Sequence, residues 1–306
     1  MKPKKYHGVV PPIMTPIDAN EDVDEKGFRQ LIEYNIQGGI HGLFVAGTNG
    51  DTMALTQRER NRAISIALEQ VNGRIPVMAG VMDTSTRRVI ENIHALEDMG
   101  GTCAVVTSVF YDRHTSQEET VRHFERILSE TDVDLFIYNI PPFTGLRLNA
   151  DTVIKIARLD KRVVGYKDSS GAFGEFLQVL AEFRETPFSV LQGLTAIAMP
   201  SILYGADGYV PGLAVAFPEI FVEAYDAAAS GNIELTIQYD AILRKTSQLL
   251  KMTKNGTAAT KYVASLLGFT DKRVIAPQDF MSPEEEAMVR QGVEEVKRMH
   301  AELKAR

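Results

Sequence analysis

The stretch "VVGYKDSSG", residues 163–171, sets an apolar run against a polar turn and ends the run on Lys167. Branched and aromatic residues suit a buried strand, whereas lysine is depleted in strands and almost never fully buried without a partner. The pattern of a short apolar run, a polar turn and an amphipathic segment recurs over about three quarters of the chain. Strands are expected near 8–14, 42–46, 75–80, 102–107, 134–138, 163–167, 188–191 and 207–210, with helices between them. Eight strand-then-helix units with short connections predict an α/β fold, a (β/α)8 TIM barrel, since closure removes the edges that an open doubly wound sheet would expose.

Helix starts support this reading. Thr56 with Glu59, and Ser116 with Glu119, fit capping boxes, and "SPEEE" combines Ser282 as cap with Pro283 at the first helical position and Glu285 behind it. Beyond residue 230 only helical patterns continue. The chain therefore divides into a catalytic barrel over 1–230 and a C-terminal helical region over 231–306 packed on it.

The 306 residues, 44% hydrophobic and 24% charged, are ordinary for a globular protein. A net charge of -7 argues against a nucleic-acid binder, and no run approaches the ~18 apolar residues of a membrane span. The expected location is cytoplasmic. Cys103 is the only cysteine, which excludes an internal disulfide or thiolate cluster, and its place in "TCAVVT" reads as core packing. The six histidines lack metal spacing, and "DANEDVDEKG" fails as a calcium loop because Val23 replaces the glycine and Arg29 the closing glutamate. No metal is expected. "GADGYVPG", at 205–212, reads as a tight turn rather than a phosphate cradle.

In such a barrel the chemistry sits at the C-terminal ends of the strands. Strand two ends in "LFVAGTNGD", strand five in "LFIYNIPP" and strand six in "VVGYK", which puts Thr48, Asn49, Tyr138 and Lys167 on one rim. A lysine beside a tyrosine and a hydroxyl suits Schiff-base chemistry on a carbonyl, whose protonated imine delocalises a neighbouring carbanion as an enamine. An ordinary lysine is neutral only about once in 2,500 molecules at pH 7, so partial burial would raise the reactive fraction. The competing reading is an ion pair between Lys167 and Asp168.

These motifs carry a resemblance. "GTNGD" resembles the GTTGE-type signature of the dihydrodipicolinate synthase and N-acetylneuraminate lyase family, and "YNIPPFTG" with "GYKDSSG" is similar to its tyrosine and lysine motifs. Order and spacing agree from "PPIMTP" at 11–16 through "GADGYVPG". The resemblance implies a homotetrameric barrel that binds pyruvate or another 2-oxo acid on Lys167 without metal or organic cofactor, with Tyr138 as acid/base, Thr48 in the proton relay and Asn49 at the carboxylate. Gly47, Phe143, Gly193 and Val210 are implied as further substrate-binding positions. Tyr111 or Phe110 would take the place of a relay tyrosine often donated across a subunit interface.

Departures shape the expected substrate. Phe143 stands where synthases that bind aspartate semialdehyde carry an arginine, and "QGLTAIA" lacks the acidic pair usual in neuraminate lyases. Asp51 replaces the usual glutamate. The expectation is a class I aldolase cleaving or forming a 2-oxo acid from pyruvate and an aldehyde, with a 2-keto-3-deoxy sugar acid or an aromatic analogue as substrate. Dihydrodipicolinate synthesis, neuraminate cleavage and non-catalytic 2-oxo acid binding are the alternatives.

Overall fold

The protein is described by a computed structural model covering residues 4–305. All eight expected strands form: β1 (Gly8–Val9), β2 (Leu43–Val45), β3 (Val77–Gly80), β4 (Cys103–Val106), β5 (Asp134–Asn139), β6 (Val163–Asp168), β7 (Ser189–Gln192) and β8 (Gly208–Tyr209). They are parallel in the order β1-β8-β7-β6-β5-β4-β3-β2. The first strand is shorter than the apolar run suggested, because Pro11 and Pro12 lack the N–H groups that a ladder needs. The same segment nonetheless closes the circle. Phe44 donates its N–H to the Pro11 carbonyl at 3.0 Å, and Ile13 donates to the Phe44 carbonyl at 2.9 Å. A closed barrel, not an open sheet, is the result.

Helices α1 (Glu25–Gln37), α2 (Gln57–Val71), α3 (Thr86–Asp98) and α4 (Gln117–Glu130) follow the first four strands. Next come α5 (Pro141–Thr144), α6 (Ala150–Ala157), α7 (Phe173–Phe183), α8 (Ala198–Leu203) and α9 (Pro218–Ala229). Helices α10 (Ile233–Lys251), α11 (Gly256–Ser265) and α12 (Pro283–Lys304) complete the chain. Ser116 and Ser282 form full capping boxes. Thr56 forms half of one. It accepts from the Glu59 N–H at 3.3 Å, but the buried Glu59 carboxylate turns to the Val23 N–H at 2.7 Å.

Alternation along each strand sorts side chains between two cores. Tyr6, Val10, Phe44, Met78, Cys103, Val105, Phe136, Tyr138, Leu191 and Val210 fill the barrel, while their strand neighbours face the surrounding helices. Gly165 is required inside, because a Cβ there would lie 2.1 Å from the Phe136 ring. Cys103 is buried and its thiol is pushed by burial up to about 12, which fits packing rather than nucleophilic chemistry. Among the described residues no helix is long and apolar enough to cross a membrane.

Candidate active site

Lys167 owes its direction to the strand period. Tyr166 belongs to the outer core, so Lys167, one residue on, projects into the barrel among Phe44 and Tyr138. Its Nζ lies 3.8 Å from the centroid of the Tyr138 ring and 4.8 Å from that of Phe44. The residue is 4% exposed. Burial lowers its pKa below the ordinary lysine value, partly opposed by the Tyr138 hydroxyl. That is the direction imine formation needs.

Asp168 is not its partner. It faces the other side of β6, where its carboxylate accepts from Tyr166 Oη at 2.9 Å, Asn139 Nδ2 at 3.1 Å and Ser170 Oγ at 3.0 Å. Burial raises its pKa, against the lowering effect of these hydrogen bonds. The ion-pair reading of Lys167 therefore fails on geometry, since alternation sends adjacent residues to opposite faces. The Asp168 network has a different effect: it pins β5 to β6 in the register that sets Tyr138 opposite Lys167 and Asn139 opposite Asp168.

Above the Tyr138 ring opens a cavity of about 250 Å³. Tyr138, Asp51, Gln278 and the threonines Thr48, Thr52, Thr107, Thr144 and Thr257 give it polar groups, and Met53, Met82, Phe110, Ile140 and Phe143 give it apolar walls. Lys167 itself lies below this lining, touching Tyr138. Thr48 and Asn49 belong to a single 3-10 turn, Thr48–Gly50, between Ala46 and Asp51, both in the left-handed region with φ of 53° and 55°. Such conformations cost about 1–3 kcal/mol for residues other than glycine and concentrate at functional sites. Gly47 keeps the turn close to the barrel, since a Cβ would sit 2.8 Å from the Phe44 ring.

Asn49 Nδ2 is buried without a hydrogen-bond partner among the described residues. It lies against Gly212, where a Cβ would come within 2.8 Å of that nitrogen. A buried donor without a partner is costly, and an anionic acceptor would satisfy it. Beside the turn, Asp51 Oδ2 meets Lys261 Nζ at 2.6 Å, with both side chains buried. Burial raises the Asp51 pKa even so, with Lys261 opposing the shift.

A family model described as the dihydrodipicolinate synthetase family matches residues 5–296. The chain belongs to that family. A relative, the 4-hydroxy-tetrahydrodipicolinate synthase of Methanopyrus kandleri, is 34% identical over 234 residues, covering 75% of this chain and 76% of its own. The solved 4-hydroxy-tetrahydrodipicolinate synthase of Methylacidiphilum fumariolicum superposes with a TM-score of 0.91 at 26% identity, over 98% of this chain and 99% of that one. A prophage protein of the same family from E. coli, solved in complex with pyruvate, has the same fold, with a TM-score of 0.90 at 24% identity over 95% and 99%. Membership makes the chain a class I, lysine Schiff-base lyase or aldolase.

Against the residues that the dihydrodipicolinate synthetase family signature singled out, the structure is selective. Thr48, Tyr138 and Phe143 share the cavity, with Lys167, Gly47 and Asn49 next to it. Val210 packs inside the barrel, and the Gly193 N–H is committed to the Asp168 carbonyl at 2.7 Å. Phe110 lines the cavity, whereas Tyr111 points away at 96% exposure with a φ of 69°. Within one chain, then, Tyr111 does not join the site. Lys261 escaped the sequence reading. Its signal was available, a lysine within the small and apolar run "AATKYVA", all of which is buried.

Proposed function

We propose that the protein is a pyruvate-dependent aldolase that carries pyruvate as an imine on Lys167 and joins it to an aldehyde, or releases one from it. The observation that carries this is the buried Lys167 amine, free of any carboxylate partner among the described residues and resting on the ring of the tyrosine that lines the cavity. Lowered basicity supplies the neutral amine that attacks the ketone. Asn49 Nδ2 is the donor for the pyruvate carboxylate, and Tyr138 with Thr48 moves protons to and from the reacting oxygens. The prophage protein solved with pyruvate supports this choice of donor substrate.

Tyr111 fits a different role. Its exposure and strained backbone support donation to a neighbouring copy, so that a homotetramer sharing it would complete each site. A second reading, 4-hydroxy-tetrahydrodipicolinate synthesis, is favoured by the names of the relatives. Against it stands Phe143, in the place where synthases binding aspartate semialdehyde are expected to carry an arginine. Pyruvate-dependent inactivation by borohydride tests the imine common to both. Protection of activity in the presence of pyruvate and borohydride would contradict it.

A further inference from the structure

We infer that the second substrate is a neutral, apolar aldehyde, with an aromatic aldehyde the best fit. This rests on the Lys167 imine reading and extends it to the electrophile. Between the buried floor at Tyr138 and the rim, the cavity wall is mainly apolar, from Met82, Ile140, Phe110, Met53 and Phe143, with threonine side chains and Gln278 set among them. Met53 is 50% and Phe143 64% exposed, so apolar surface continues to the mouth. Two phenyl rings and two thioethers around one opening favour a planar ring, through edge or offset ring contacts and sulfur-aromatic contacts.

Charge points the same way. Asp51 is the one charged group of the lining, and its carboxylate is held by Lys261. The nearby guanidiniums are engaged or placed elsewhere. Arg147 pairs with Glu175 at 3.3 Å, and buried Arg60 lies 3.9 Å from Asp83. Arg113 is exposed and packs over Gly145, outside the lining. A second carboxylate at the mouth would thus lose water against a mainly apolar wall, and the one guanidinium beside it, Arg113, is exposed to solvent outside the lining.

In the forward step the enamine carbon derived from the pyruvate methyl forms a bond to the aldehyde carbon, and the aldehyde oxygen takes a proton. The resulting imine takes up one water, releasing free Lys167 and a 4-substituted 4-hydroxy-2-oxobutanoate. The test is a panel of acceptors with pyruvate: benzaldehyde, glyceraldehyde and aspartate semialdehyde, compared by kcat/KM. Benzaldehyde is expected to exceed each of the others by about 100-fold. Phe143→Arg should shift the semialdehyde-to-benzaldehyde ratio upward by about 10- to 100-fold. Should that variant fold poorly, the wild-type panel decides alone. Equal or better use of the semialdehyde or glyceraldehyde by wild type, with pyruvate still trapped on Lys167, would overturn this inference while leaving the imine intact. Failure to trap pyruvate on Lys167 would overturn both.

Discussion

Asp51 in the turn after β2 and Lys261 in α11 form a buried ion pair, their charged atoms 2.6 Å apart, next to the turn that holds Thr48 and Asn49. It ties the C-terminal helices to the mouth of the barrel. Breaking a buried pair from one side leaves an uncompensated charge, which costs about 3–5 kcal/mol. Lys261→Met should therefore lower stability by that amount in urea unfolding. Adding Asp51→Asn should recover much of it, because asparagine tolerates the left-handed backbone that Asp51 adopts. Equal losses for the single and double variants would show that the pair itself is not what matters.

The Asp168 network is predicted to be structural. Asp168→Ala leaves the buried Tyr166 Oη without its acceptor, at about 1–3 kcal/mol, while Asn139 Nδ2 loses one bond but keeps the Leu148 carbonyl. Stability should fall, while the pH at which Lys167 becomes reactive stays where it is in wild type. A large move in that pH would mean that Asp168 acts on the amine after all.

The pH dependence of pyruvate use follows from the sign of the Lys167 shift. The reactive species is the neutral amine, and burial favours it, so kcat/KM for pyruvate should rise with pH through an inflection below the ordinary lysine value of ~10.4. Because the Tyr138 hydroxyl opposes the shift, Tyr138→Phe should move that inflection further down. The same variant should lower turnover by about two to four orders of magnitude, yet still permit trapping of pyruvate. Near-normal turnover would assign the proton transfer elsewhere.

How far the sequence was legible depends on the range of the cause. Strand placement comes from a local rule, the apolar run, and is found as expected, whereas the inward direction of Lys167 follows from the alternation of faces once Tyr166 is seen in the outer core. Capping at Ser116 and Ser282 is equally local. Glu59 was misread because its tertiary partner, the Val23 N–H, competes with the cap. The Asp51–Lys261 pair joins segments far apart in the chain, and nothing local to Asp51 announces a buried cation. Tyr111 and Phe110 are neighbours in one loop, so only the backbone turn at Tyr111 decides which side chain enters the cavity.

For Tyr111 the prediction is that activity depends on association. Light scattering should give a homotetramer at assay concentration, and Tyr111→Phe should reduce turnover although the side chain faces away from its own chain's cavity. A fully active monomer would rule out a shared site.

The central claim is that Lys167 carries pyruvate. Borohydride reduction in the presence of pyruvate, followed by peptide mass mapping, is the most direct measurement of it. The account predicts one reduced pyruvyl group on the peptide containing Lys167, absent when pyruvate is omitted and absent in Lys167→Ala. Modification of a different lysine, or none with pyruvate saturating, would contradict it.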